Sequence, residues 1–420
     1  MTRRIETSGP LRATVHVPGS KSITNRGLVC AALARGESRL VNASSSDDSG
    51  LMANGLNQLG VLVRRTEEGM IVVGTGGTLY APKYPIPVGN AGTTLRFLLS
   101  VSALAEGTTV LEGSGRMAER PNEELVAALR SQGVTVGHRE GTSRFEVGGG
   151  SLEGGLVTIR SSGSSQFISS LLLVAPCARS GMTVRAAEGL SSASYVGLTV
   201  DVMRRFGVRV TQGDDLSFSV GGGEHYRRAE LVVEADASSA SYPMAAAAIA
   251  GGEVFVPGVT EDSGQGDAGF AKVLRSMGCD VRGRDGGLSV VRTGALRGIE
   301  VDMNAMPDVV PTLLAVALFA EGTTVIRNVA HLRHKESDRA EGLAVELGRL
   351  GASVHVRDDG IIVHPVPLHG AILDTHDDHR LAMSFALIGL RVPGVEIENP
   401  DCVRKSFPGF WDEFDRMTRG

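Results

Sequence analysis

Loops rich in small polar residues, each opening a helical pattern, recur at Gly19, Gly89, Gly163, Ala237, Met306 and Asp377, with spacings of 70, 74, 74, 69 and 71 residues. So regular a period calls for copies of one supersecondary unit rather than a single continuous sheet. After the first helix of each unit comes a β-branched run ending in a turn: SRLVNA, TTVLEG, MTVRAAEG, GEVFVPG, TTVIRN and GVEIENP. A second helix follows in the first five units. It ends at LNQLGV, LRSQGV, MRRFGV, LRSMGC and LGRLGA, with Gly60, Gly133, Gly207, Gly278 and Gly351 where a left-handed helix C-cap belongs. In the first of these helices Met52, Leu56 and Leu59 share one stripe, and Asp47 or Asp48 can cap its start. The sixth unit is truncated after FWDEF.

Six α/β units without G-x-G-x-x-G after the first strand argue against one Rossmann sheet, and a TIM barrel would need eight shorter units. The pattern predicts an α/β chain of two pseudo-symmetric domains with three units each. A crossing between domains is expected in the polar, Gly-rich stretch GGGEHYRRAE, residues 221 to 230.

The loops matter because a helix N-terminus presents unpaired N–H groups and roughly half an elementary positive charge. Into them the sequence places Lys21 and Arg26; Asn90, Thr93 and Arg96; Ser164, Ser165 and Gln166; and His379 with Arg380. RMAERP adds Arg116 and Arg120, RHKESDR adds Lys335, Glu336 and Arg339, and VRKSFP adds Arg404 and Lys405. Lys21, between Ser20 and Ser22 at a helix start, opposes the helix dipole and needs an anion to make sense. Taken singly, the hydroxyls read more plainly as helix caps, and Glu336 with Arg339 at i, i+3 fits a surface ion pair of about 0.3 kcal/mol.

With a formal net charge of -5 and no long Lys/Arg block, a nucleic-acid footprint is not expected. Cys30, Cys177, Cys279 and Cys402 stand far apart without a CxxC, so neither a zinc ribbon nor a disulfide framework is signalled. No apolar run is long enough for a membrane span, and the cytoplasm is the default location. HDDH (His376, His379) and HLRH (His331, His334) have helical spacing for a metal but no third ligand set, so no metal is expected.

PGSKSITNR, GNAGTTLR, RMAERP, SSQF, MPD, KESDR, DDHR and KSFP occur in the order and approximate spacing of the 5-enolpyruvylshikimate-3-phosphate (EPSP) synthase family, which the chain resembles essentially end to end. The resemblance implies two domains, 1–18 with 229–420 and 19–228, each an inside-out α/β barrel of three βαβαββ units, closing like a hinge on substrate. It implies transfer of the enolpyruvyl group of phosphoenolpyruvate to the 5-hydroxyl of shikimate 3-phosphate, with release of phosphate, by a monomer without cofactor. Carried over by position, phosphoshikimate contacts fall on Lys21, Ser22, Arg26, Ser164, Ser165, Gln166, Ser192, Tyr195, Asp308 and Lys335. Phosphoenolpyruvate contacts fall on Lys21, Asn90, Gly92, Arg120, Gln166, Arg339, Arg380 and Lys405. Gly92 keeps the small residue that the family associates with room for the inhibitor glyphosate, so glyphosate binding is expected.

The chemistry asks for a proton at the methylene carbon, a base for the attacking hydroxyl, and donors for the developing charge. Glu336 as acid and Asp308 as base are the natural candidates, with the pKa of Glu336 raised by domain closure and desolvation; Lys21 and Lys405 could instead relay protons. Arg120, Arg339 and Arg380 suit the carboxylate and phosphate of phosphoenolpyruvate, because a guanidinium meets each in bidentate fashion. His331 stands where many family members have Asn, and imidazole at that place suggests altered affinity or pH dependence near neutrality. UDP-N-acetylglucosamine enolpyruvyl transferase is disfavoured, since its cysteine-bearing loop is replaced by SGRMAERP. A paralogue acting on a modified shikimate and a non-catalytic phospho-ligand sensor stand as the remaining alternatives.

Overall fold

The computed structural model describes residues 1–160 and 164–419, so the predicted loop start at Gly163 lies outside the described residues. Contacts divide the chain into two compact units, Met1–Pro18 with Glu234–Gly420 and Gly19–Val233. The return crossing falls after Val233 rather than at 228/229, because Glu230–Val232 adds as a parallel strand to Arg39–Val41. In the same way, within the unit formed by Met1–Pro18 and Glu234–Gly420, Leu11–Thr14 adds in parallel to Gly252–Phe255. Each crossing strand thus completes a sheet whose remaining strands lie elsewhere in the sequence.

Five sheets share one plan: a parallel strand pair, then an antiparallel hairpin. In the second repeat, for example, Ile86–Gly89 runs parallel to Thr108–Gly113, which pairs antiparallel with Arg144–Gly148 and through it with Thr135–His138. The sixth sheet has three strands, with Thr2–Arg4 antiparallel to Glu396–Glu398 and Ile372–Leu373 parallel to it. A second helix, Phe410–Arg419, is present in the sixth repeat too, with Phe410, Phe414 and Met417 buried.

The six helices that follow the predicted loops are Lys21–Leu33, Gly92–Ser102, Gln166–Val174, Ala237–Ala250, Val310–Ala317 and His379–Gly389. They are buried on nearly every side, polar residues near their starts included, which places them inside rather than on a surface. All of Ala237–Ala250 is buried, as are Ile23–Leu33 and Leu381–Gly389. In each unit the three central helices pack on one another and the sheets lie outside them. The second helices bury a single stripe; in Asp47–Gln58 this includes Met52 and Leu56.

Local caps follow the sequence closely. Ser20 Oγ accepts from Ile23 N at 3.4 Å, Asp236 from Ser239 N at 2.7 Å and Asp378 from Arg380 N at 2.9 Å. For Asp47–Gln58 the cap is Ser46, whose hydroxyl accepts from Ser49 N at 3.3 Å, and not Asp47 or Asp48. Asp48 is turned instead toward Lys21.

The five predicted C-cap glycines all have left-handed backbone, φ between 82° and 102°. At Gly133 a Cβ would meet nothing nearer than Glu153 Cγ at 3.8 Å, so the glycine is required by backbone conformation and not by crowding. Gly133→Ala is therefore expected to cost about 1 kcal/mol, read as a lower midpoint in urea with an unchanged slope.

Candidate functional site

In the Gly19–Val233 unit the polar residues gather at the starts of the central helices. Lys21 is the first residue of its helix, and Nζ lies 2.9 Å from Asp48 Oδ2, with the side chains 12% and 4% exposed. Asp48 is fixed in turn through its carbonyl, which accepts from Thr94 Oγ1 at 3.1 Å. A cation at a helix start is disfavoured by the dipole, and Asp48 offsets that cost locally.

Two buried guanidiniums tie this unit's repeats together. Arg26 donates to Thr199 Oγ1 (2.7 Å), Ser22 O (3.0 Å), Tyr195 O (3.1 Å) and Ser169 Oγ (3.4 Å). Burial lowers its pKa to about 10, which leaves it charged at neutrality. Arg96 donates to Gln166 Oε1 (2.8 Å), Pro121 O (2.9 Å), Asn122 Oδ1 (3.1 Å) and Ser164 Oγ (3.3 Å). Gln166 Nε2 donates onward to Thr93 Oγ1 at 3.0 Å, so the amide is held at both ends.

Arg120 reaches the same helix start as Gly92: Nη1 donates to Asn90 O at 3.3 Å. A Cβ on Gly92 would stand 2.5 Å from Arg120 Nη2, so the glycine makes room for the guanidinium. Ser192, just ahead of Ala193–Arg205, is buried with φ 55° and ψ 48°, a left-handed conformation that a serine holds only when its surroundings fix it. Ser165 is buried at the start of Gln166–Val174.

The Met1–Pro18 and Glu234–Gly420 unit is organised by Arg339, whose side chain has no exposed surface. Its Nε donates to Asp378 Oδ2 at 2.8 Å, Nη1 to Asp308 Oδ1 at 3.0 Å, and Nη2 to Glu336 Oε2 at 2.8 Å. Asp378 has no exposed side-chain surface either, so this is a buried network and not the surface pair that the i, i+3 spacing allowed. Arg380 Nη2 lies 2.6 Å from Asp308 Oδ2 and Nη1 lies 3.5 Å from the Tyr242 hydroxyl.

Burial works to raise the Asp308 carboxyl, but Arg380, Arg339 and Lys335 outweigh it and hold it well below the ordinary carboxylate range. Arg339 is likewise held above its ordinary range, Asp378, Glu336 and Asp308 outweighing the effect of burial. Burial pushes the Tyr242 hydroxyl up to about 12. Lys335 follows the turn Ala330–His334, and Lys405 ends Pro400–Lys405, a turn packed against the His379–Gly389 helix.

His331 does not meet the expectation of titration near neutrality. It is 8% exposed, and burial, then Lys335, push its pKa down to about 4, so the ring is neutral at physiological pH. Among the described residues no group of three or more His, Cys, Asp or Glu is placed to hold a metal. No helix among them is long and apolar enough to cross a membrane.

Of the site residues read from sequence, the structure joins Arg96 with Gln166 and Ser164, Arg26 with Ser22 and Tyr195, Asn90 with Arg120, and Asp308 with Glu336, Arg339 and Arg380. Sequence reading missed Asp48 as the partner of Lys21, Asp378 as the anchor of Arg339, and Tyr242. Asp378 left a signal in DDHR as the residue before a helix; Tyr242, in the middle of an apolar helix, left none. Because Asp378 and Arg339 form a buried pair, Asp378→Ala is expected to cost about 3 kcal/mol by leaving the buried Arg339 Nε without its partner. Chemical denaturation of the purified variant measures this.

A family profile for EPSP synthase (3-phosphoshikimate 1-carboxyvinyltransferase) matches residues 5–414. The chain is 44% identical over 415 residues to the 3-phosphoshikimate 1-carboxyvinyltransferase of Methanoculleus marisnigri, covering 98% of both chains. It is 42% identical to that of Trichormus variabilis, covering 97% of both. Among solved structures it is similar to EPSP synthase from Acinetobacter baumannii, with TM-score 0.80 and 27% identity over 99% of this chain and 98% of that one. The enolpyruvyl transferase NikO from Streptomyces tendae has TM-score 0.79 at 18% identity, over 99% of this chain and 97% of that one, a likeness of fold alone.

Proposed function

This chain belongs to the EPSP synthase family of transferases, and from that premise we propose that it transfers the enolpyruvyl group of phosphoenolpyruvate to the 5-hydroxyl of shikimate 3-phosphate, releasing phosphate. The reading includes a monomeric enzyme in the cytoplasm. The observation that supports it most directly is that Asp308 and Glu336, two carboxylates of the kind the reaction needs, meet on one guanidinium, Arg339, at 3.0 and 2.8 Å.

In the first half of the reaction the acceptor hydroxyl attacks C2 of phosphoenolpyruvate, losing its proton to Asp308, while the methylene carbon takes a proton from Glu336 and becomes a methyl group. In the second, phosphate departs with the C–O electron pair, the methyl group returns a proton, and the methylene is restored. A carboxylate held as low as Asp308 is a weak proton acceptor while its arginines remain on it. Engagement of Arg380 by the carboxylate or phosphate of the donor loosens that hold and raises the basicity of Asp308 when the substrate is in place. Arg339, saturated by three carboxylates, acts in this reading by holding Asp308 and Glu336 at fixed positions more than by clamping the donor itself.

In the other unit, Lys21, Asn90, Gly92, Arg120 and Gln166 are assigned to the donor, and Lys21, Ser22, Ser164, Ser165, Gln166, Ser192 and Tyr195 to the acceptor; Asp308 and Lys335 of the unit with Arg339 are also assigned to the acceptor, and Arg380 and Lys405 to the donor. Arg26 is assigned to the acceptor as well, its guanidinium fixed in place by bonds to Thr199, Ser22 O and Tyr195 O. The acceptor is assigned as shikimate 3-phosphate rather than a modified shikimate because relatives at 42–44% identity carry that activity in their names.

Steady-state phosphate release with both substrates tests the reading, and no release at saturation ends it. Glu336→Gln is expected to lower kcat by about a hundredfold or more, and Lys21→Ala to abolish turnover. Gly92→Ala pushes on the movable end of Arg120, so KM for phosphoenolpyruvate should rise by about tenfold, with the thermal midpoint little changed.

A further inference from the structure

Asp267 lies in the turn Gly266–Gly269, is 4% exposed, and has no part in the reaction as described. Ser238, in the first turn of the central helix Ala237–Ala250, donates its hydroxyl to Asp267 Oδ2. That helix also carries Tyr242, whose hydroxyl faces Arg380. The turn Gly266–Gly269 packs beside Pro307–Val309, which carries Asp308, and Gly269 abuts Met306. The turn that carries Asp267 therefore lies next to the turn that carries Asp308, with Ser238 bridging it to the start of the central helix.

Among the groups close enough to act on its carboxyl are Asp308 from the neighbouring turn, Arg380 from the His379–Gly389 helix, and Asp236 and Ser238 from the start of Ala237–Ala250. Burial first, and then Asp308, push the Asp267 carboxyl up to about 7, against the opposing pull of Arg380 and the Ser238 bond.

We propose that Asp267 is a positioning residue that acts through Arg380: it takes up a proton when an anion engages that guanidinium, and so frees Arg380 to serve the anion without leaving an extra buried negative charge behind. The inference rests on the proposed role of Arg380 toward phosphoenolpyruvate. An anion at Arg380 adds negative charge near Asp267 and draws the guanidinium off Asp308, and both changes disfavour the Asp267 carboxylate. The complex then binds more protons than the free protein, so by linkage the affinity falls as pH rises, from about 7 upward to the higher pKa of the complex. Below that window Asp267 is already protonated in the free protein and the affinity no longer depends on it.

The test is calorimetric titration of phosphoenolpyruvate into the full-length protein at about pH 7.5 in buffers of different ionisation enthalpy, alongside KM for phosphoenolpyruvate against pH. Wild type is expected to take up a large fraction of one proton per ligand, and its affinity to fall by up to about tenfold per pH unit through the window. Asp267→Asn, which is neutral at every pH, should bind without this uptake and with a flat pH profile for KM. Ser238→Ala removes a donor from the carboxylate, so its uptake should move to higher pH, a shift that a purely structural role would not produce. Binding by wild type without proton uptake, or the same uptake in Asp267→Asn and an unmoved window in Ser238→Ala, overturns the inference alone. A wild-type protein that does not bind phosphoenolpyruvate overturns the functional reading and this inference with it.

Discussion

A guanidinium without exposed surface, Arg339, is the joint on which one unit depends. It binds carboxylates from three separate stretches, Asp308, Glu336 and Asp378, and so connects the MPD, KESDR and DDHR motifs at fixed distances. Burying a charge costs several kcal/mol, and the attraction repays it only where geometry and hydrogen bonding are nearly complete. Such an arrangement stabilises the fold little relative to an apolar core, yet it leaves the carboxylates few other positions. Specific placement of two acids is what a pair of opposed proton transfers requires.

The Gly19–Val233 unit uses the same device with neutral partners. Arg26 and Arg96 are buried, and they donate to hydroxyls, amides and backbone carbonyls. Neutral partners leave the positive charge of a guanidinium in place, and the adjoining helix starts add to it. The unit with Arg339 instead balances its arginines with acids. Under the proposed function the Gly19–Val233 unit supplies cations to the anions and the other holds the carboxylates that exchange protons.

Both arrangements rest on the repeat. Each unit surrounds three buried helices with sheets, and their polar starts carry many of the candidate site residues. A core made of whole helices resists deformation, so positions at the helix starts inherit its rigidity. Small residues make this packing possible: Ala245, Ala246, Ala247 and Ala248 are all buried without exposed surface.

The period of the loops, the starts of the central helices and the C-cap glycines were legible in the sequence, because each depends on residues within a few positions of one another. Gly60, Gly133, Gly207, Gly278 and Gly351 could be assigned from the end of an apolar stripe alone. Partners could not. Asp48 had every local mark of a helix cap and went to Lys21, and Glu336 with Arg339 had the spacing of a surface pair and lay buried. His331 carried the ordinary promise of an imidazole and lost it to desolvation. Arg26 and Thr199, bonded at 2.7 Å, stand 173 residues apart. Backbone conformation is set by neighbours in the chain, whereas the energy of a charge is set by everything that surrounds it in space, and that sum exists only once the chain has folded.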